Sequence, residues 1–266
     1  MKKNRGKIVT FVSTKGGVGK TITLLNFAGI YSNLGLKTLV IDLDLYGGAV
    51  ATYLNSDNDR TIYNLVEDFS NNRYKDLQDY VFSYNENIDI IASVKDPRYA
   101  NKIEPKYIPL ILNNAVYKYD VILIDTTRVL DPLNIITIDS SDSILYMFTN
   151  DVFDLKNTKS FMSILKDISY DNVYTLLNNS LFPERNYFSL YDIRNITKHN
   201  IDYTIDKSCH IKNIDKYIMG GKILILNKDL SFSKKVYKNM ENIAKELVDY
   251  KEGDEKWKSP FQMHLI

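Results

Sequence analysis

Lys15-Gly16-Gly17-Val18-Gly19-Lys20-Thr21 stands between the apolar run Ile8 to Val12 and the mixed apolar segment Ile22 to Leu34. A strand-length apolar run, a glycine-rich turn and a helical segment in that order read as a phosphate-binding loop. Glycines at 16, 17 and 19 let the backbone take conformations closed to other residues and approach a phosphate chain with no Cβ in the way. Successive N–H groups, that of Val18 included, then turn inward as an anion cradle. A helix beginning near Lys20 adds its unpaired N–H groups and the positive end of its dipole. Lys20 supplies a point charge for the β- and γ-phosphates, and Thr21 a hydroxyl for Mg²⁺. Thr14 stands where the first glycine of Gly-x-x-x-x-Gly-Lys-Thr usually stands, and Lys15 follows it.

The rest of the chain suits such a loop. Its 266 residues fit one large α/β domain with a core that needs no covalent staples. Hydrophobic residues make up 44% and charged residues 25%, and the net charge of +1 sets up no global field that would favour nucleic acid or anionic lipid. The single cysteine, Cys209, excludes an internal disulfide and a cysteine-ligated Fe–S cluster built from one chain, and reads as a structural or idle thiol. Met1 to Lys7 is basic but runs straight into a strand-length apolar run, and no stretch approaches transmembrane length, so a cytoplasmic protein is expected.

Outward from the loop, Leu24, Leu25, Ala28 and Tyr31 recur at helical spacing and Gly35 closes that helix. Lys37 to Leu45 then has the continuous apolar core of a central parallel strand, with Asp42 and Asp44 on one face at its C-terminal end, the edge where doubly wound sheets bind ligands. Asp42 reads as an acceptor for loop N–H groups. Asn55 to Asp59 reads as a solvated loop, Thr61 to Phe69 and Tyr74 to Phe82 as short surface helices, and Ile88 to Val94 as the next strand. Ile108, Leu112, Val116 and Tyr119 mark one helical face. Tyr119 to Arg128 is a second apolar strand ending in a carboxylate, a Walker B pattern in which Asp125 would hold Mg²⁺ through water. Ser143 to Thr149 and Tyr174 to Asn179 read as further strands, with a helix carrying Leu155, Thr158, Met162 and Leu165 between them. A helix and a short strand follow over 182–206, then a short helix from Ile214 to Gly221. The last helix, Ser231 to Tyr250, buries Phe232, Val236, Met240, Ile243 and Leu247 and shows Lys234, Lys235 and Lys238 to solvent.

With a lysine directly before Gly-Gly-x-Gly-Lys-Thr, the loop carries the deviant Walker A signature, and the chain resembles the ParA/MinD superfamily of ATPases. The resemblance implies that ATP and Mg²⁺ are bound at Gly16, Gly17, Val18, Gly19, Lys20 and Thr21, and that Lys15 reaches across an ATP-dependent homodimer to the partner's nucleotide. It implies that Asp44 orients the attacking water and contacts the metal shell together with Thr21 and Asp125, and that Lys15, Lys20 and Asp44 carry the hydrolysis. It places Asn178 at the adenine edge, with Asp202 and Asp206 near the base or its loop. Most partition ATPases follow the second aspartate with Pro-Gln-Gly, where this chain has Leu45-Tyr46-Gly47-Gly48, a departure that keeps a nucleotide-binding scaffold with little hydrolysis among the readings.

Asp42-Leu-Asp-Leu, Ala92 to Tyr99, Ile124-Asp-Thr-Thr-Arg128, Leu130-Asp131-Pro132-Leu133 and Asp139-Ser140-Ser141-Asp142 together resemble the CpaE/TadZ branch, MinD-like ATPases that help position the assembly machinery of Flp/Tad-type pili. The function expected is therefore an ATP-dependent switch that positions a pilus or secretion complex through protein cargo, with DNA or plasmid partition as the alternative. The expected architecture is α/β, a doubly wound and mainly parallel sheet with helices on both faces. Residues 1–250 form one P-loop ATPase domain and 251–266 a docked or disordered tail, in which Pro260 interrupts any membrane-binding helix.

Overall fold

β1 (Lys7–Val12) explains in six residues how the sheet is built. Val9 and Phe11 point into one hydrophobic layer, while Ile8 and Val12 point into the opposite side, so the strand is covered on both faces. The computed structural model describes residues 5–185, 187–230 and 232–253. After β1 come α1 (Lys20–Asn33), β2 (Thr38–Asp42), α2 (Ala49–Tyr53), α3 (Ile62–Ser70), β3 (Phe82–Asn85) and β4 (Ile88–Ile91). Then follow α4 (Ile108–Ala115), β5 (Val121–Asp125), α5 (Pro132–Asp139), β6 (Ser143–Phe148), α6 (Val152–Asp167) and β7 (Val173–Asn178). The chain continues through α7 (Leu190–Thr197), β8 (Tyr203–Ile205), α8 (Ile214–Ile218) and α9 (Lys234–Leu247).

Among the described residues the strands form one eight-stranded sheet in the order β3-β4-β2-β5-β1-β6-β7-β8. All neighbours run parallel except β3, which pairs antiparallel with β4. Helices α1 and α9 cover one face; α3 and α4 cover one half of the other face, and α6 and α7 its second half. The doubly wound sheet expected from the sequence is therefore the fold. Gly35 ends α1 as expected: at φ +74° it turns the chain so that its N–H reaches Ser32 O and that of Leu36 reaches Tyr31 O.

One expectation is corrected, and one element was not anticipated. Tyr74 to Phe82 is not a helix; it holds one 3-10 turn, Leu77–Tyr80, and then enters the hairpin strand β3. Asp76 accepts from Gln78 N to start the turn, and Asn85 accepts from Asn87 N to make the hairpin bend, so short side chains end the helical register after four residues. Leu130 to Asp142 contains a helix, α5, that hydrophobic spacing alone did not reveal. Asp131 caps it through Asn134 N, and Pro132 occupies its first turn. The last helix begins at Lys234 with Ser233 as its cap, and Lys234, Lys235 and Lys238 are exposed as expected. The expected start at Ser231 and the tail from 254 to 266 lie outside the described residues.

Candidate nucleotide site

The parallel strands deliver their C-terminal ends to one edge, and there β1, β2 and β5 place the glycine loop and three carboxylates side by side. Asp42 and Asp125 stand opposite each other in the β2–β5 register. The loop leaves β1 and enters α1 with Gly19 as N-cap at φ +86°. A Cβ on Gly19 would lie 2.7 Å from Asn178 Nδ2, so both backbone conformation and space demand glycine there. At Gly17, φ is +75° and an added Cβ would meet nothing within 4 Å: the loop is open toward the cavity.

That cavity measures about 570 Å³ and is walled by the whole Lys15 to Ile22 loop with Asp44, Tyr46, Tyr53, Thr126 and Arg128. Its size lies within the roughly 300–1,000 Å³ typical of small-molecule sites. At its floor Lys20 Nζ donates to Asp125 Oδ1 and to Thr126 O, and Thr21 Oγ1 donates to Asp125 Oδ2 at 2.5 Å. Asp125 is fully buried and Lys20 nearly so, which makes this a desolvated ion pair with both carboxylate oxygens engaged. Lys20, Thr21 and Asp125 thus meet at one point of the cavity floor.

Asp42 is also fully buried. Its two oxygens accept the N–H groups of Asp44 and Val50, each at 3.0 Å, which folds the segment after β2 back toward α2. This is the loop-binding role expected for it. Burial first, and the facing charge of Asp125 second, push its pKa up to about 8. Asp44 lies beyond the end of β2, where Oδ1 accepts from Gly47 N at 3.1 Å and Ser93 Oγ donates to its carbonyl at 3.1 Å. A Cβ on Gly47 would come within 2.7 Å of Asp44 Oδ2, so Gly47 keeps that carboxylate in place.

Lys15 stands half-exposed on the rim, its ammonium 3.2 Å from Asp151 Oδ1 in the loop after β6. Asn178, at the end of β7, donates from Nδ2 to Val18 O and accepts from Ser180 N and Oγ, so it straps the glycine loop to the β7 edge. It also borders a smaller cavity of about 90 Å³ shared with Gly19, Leu181, Cys209 and His210. His210 Nδ1 donates to Ser180 O at 2.8 Å across that cavity, and burial pushes the Cys209 thiol up. Asp206 caps the turn at 207–209 beside it. Asp202 is a correction: it lies below this edge, where Oδ2 accepts the N–H and hydroxyl of Thr175, and it ties β8 to β7 instead of facing a base.

The donor set fits a phosphate chain with a hard cation. Hydroxyl and carboxylate oxygens with no thiolate or imidazole suit Mg²⁺, and among the described residues no cluster of three or more His, Cys, Asp and Glu side chains could hold a metal alone, so such a cation would share phosphate oxygens. Sequence reasoning did not find the Thr126 carbonyl as a partner of Lys20, Asp151 as the partner of Lys15, or Tyr53 in the cavity wall. A backbone acceptor and contacts between distant loops leave no mark in residue spacing.

Comparison with known proteins agrees with this geometry. A family model described as an AAA domain matches residues 6–182. The sporulation initiation inhibitor protein Soj of Bacillus subtilis is 25% identical over 201 residues, covering 71% of this chain and 74% of that protein. Among solved structures, a ParA family ATPase from Chlorobium tepidum TLS superposes with a TM-score of 0.77 at 18% identity, over 90% of this chain and 98% of the other. The septum site-determining protein MinD of Pyrococcus horikoshii OT3, solved with Mg-ADP, gives 0.74 at 22% identity over 91% and 96%. Among the described residues no helix is long and apolar enough to cross a membrane.

Proposed function

The chain belongs to the AAA domain family as a ParA/MinD-type P-loop ATPase, and from that premise we propose that it is a deviant Walker A switch that binds ATP, dimerises across it and hydrolyses it slowly to release its cargo. The observation that carries the reading is the convergence of Lys20, Thr21 and Asp125 beneath an open glycine loop. ATP would lie along Gly16 to Thr21 with its base toward Asn178. Thr21 and Asp125, with Asp44 at the metal's shell, would hold Mg²⁺, which would supply charge neutralisation at the phosphates. Entry of the phosphates draws Lys20 from Asp125 toward them. Asp44 orients a water whose oxygen bonds to the γ-phosphorus as the bond to the β–γ bridging oxygen breaks. The products are ADP and inorganic phosphate; one proton of the water stays on the phosphate and the other passes to solvent. Lys15, already on the rim, reaches the partner's nucleotide once it leaves Asp151.

Residues 1–250 act in this reading as one domain in the cytoplasm. The cargo is a Flp/Tad-type pilus or secretion component, supported by the CpaE/TadZ-like motifs between 40 and 150. DNA partition is the second reading, favoured by the likeness to the chromosome-partitioning ATPase Soj of Treponema pallidum, 26% identical over 192 residues. A single experiment separates them: dimerisation and binding to nonspecific duplex DNA, each with ATP and with ADP, across a salt series. The expected result is ATP-driven dimerisation with no DNA retained near physiological salt. ATP-dependent retention that falls steeply on a log–log salt plot would mean several phosphate contacts and transfer the function to partition.

A further inference from the structure

Arg128 follows β5 by three residues, on the loop that also carries the Lys20 acceptor Thr126. Its side chain is exposed to the cavity and turned back over the glycine loop: a methyl placed on Gly16 would lie 3.6 Å from Nη1. Arg5, Arg60, Arg73 and Arg98 each rest on a carboxylate. Arg128 has no hydrogen bond or ion pair among the described residues, so its five donors are presented to the cavity. The two ends of that cavity differ. Gly19 adjoins Asn178 and the smaller cavity, the end read as that of the base, whereas Gly16 is three residues nearer β1, beside Arg128. A guanidinium at Gly16 therefore faces the place where the outermost phosphate of a nucleoside triphosphate would end.

We propose that Arg128 is a built-in phosphate-contacting arginine that binds the terminal phosphoryl group of ATP from the same chain. The inference rests on the reading of the cavity as an ATP site and deepens it. As the phosphoryl group passes from the β–γ bridging oxygen to water, negative charge spreads over its outer oxygens, and a planar fork donor stabilises that distribution better than an ammonium. Together with Lys20 of the same chain and Lys15 from the partner, it surrounds the phosphates with cations from both chains. It also distinguishes ATP from ADP, because ADP has no group to meet it.

The test compares wild type, Arg128→Ala and Arg128→Lys in the full chain, by steady-state ATP turnover and by binding of ADP and of a non-hydrolysable ATP analogue with Mg²⁺. In Arg128→Ala, kcat is expected to fall about 10²–10³-fold. Analogue affinity should fall about tenfold while ADP affinity stays within about twofold, and Arg128→Lys should recover only part of both losses. The exposed side chain lets both variants fold, which unchanged thermal melting checks. Turnover within about threefold of wild type with an unchanged analogue-to-ADP ratio overturns the proposal, as does an equal loss of both ligands, which marks a role in shaping the loop. If wild type binds nucleotide without turning it over, the analogue-to-ADP ratio decides alone. Wild type that binds neither ligand refutes the ATP-site reading itself, and with it the proposal, before any variant is made.

Discussion

Two groups of buried carboxylates in this chain are satisfied in different ways. Beneath the face covered by α3 and α4, Asp89 receives Gln78 Nε2 at 3.0 Å, Ser83 Oγ at 2.5 Å and Tyr119 OH at 2.7 Å, donors from three separate segments closed around it. At the C-terminal edge, Asp125 depends on Lys20 and Thr21, neighbours in the first turn of α1 that both border an open cavity. In the first group, removing a donor opens a hole in the core. In the second, the donors can turn outward to a ligand while the carboxylate turns to a cation. A buried acid whose partners all come from the packed interior is part of the scaffold; one whose partners line a cavity is part of a machine.

Lys20→Ala is the largest test of that contrast. Turnover and triphosphate binding should be lost by about 10³-fold, near 4 kcal/mol, because the loop cation that the same chain directs at the phosphates is gone. The ligand-free protein should also lose about 3 kcal/mol in urea unfolding, since Asp125 is left buried beside an empty position. Adding Asp125→Asn should recover much of the stability and none of the activity. Recovery of neither would mean that the pair belongs to the scaffold after all.

The strands and the site were legible in the sequence to different depths. Ile8 to Val12, Val121 to Asp125 and Ser143 to Phe148 are covered on both faces, so their unbroken apolar runs announce central parallel strands. The edge is another matter: Phe82–Asn85 is half-buried and four residues long, and its aromatic spacing fits a helix equally well until the turn at Asn85 to Asn87 is seen. Helix α5 is announced by its cap, Asp131-Pro132, more than by its apolar pattern. In the site, the glycines, Lys20, Thr21 and Asp125 were readable because each residue type has one chemical use at that spacing. Arg128 was visible as a residue but not as a neighbour of Gly16, because that contact joins two loops more than a hundred residues apart.

On the scaffold side, Asp89→Ala should cost about 2–4 kcal/mol in urea unfolding, as the hydroxyls of Tyr119 and Ser83 and the amide of Gln78 lose their buried acceptor. Nucleotide affinity measured on the fraction still folded should be unchanged. A loss of affinity comparable to that of Lys20→Ala would show that the two groups are one network and break the distinction.

The smallest expected effect concerns Asp68, the second scaffold carboxylate. Tyr80 OH donates to it at 2.8 Å, Arg73 Nε at 3.0 Å, and Arg60 pairs with the same group. The Tyr80 bond first, then those to the two arginines, outweigh burial and hold its pKa below the usual carboxylate value. A depressed folded-state pKa means that the unfolded chain binds the proton more readily. The stabilisation is therefore present above the unfolded value near ~3.9 and is lost as pH falls through the folded one. Asp68→Asn should cost about 1 kcal/mol at neutral pH, after allowance for solvent screening around the arginines, and the gap from wild type should narrow as pH drops below about 4. Urea unfolding of both proteins at several pH values between 7 and 3 reads this directly. A gap that stays constant down to the lowest pH would assign the loss to the hydrogen bonds alone. A gap that closes would show that scaffold carboxylates here are held charged by donors the fold itself supplies, whereas burial and Asp125 push Asp42 at the cavity edge the opposite way.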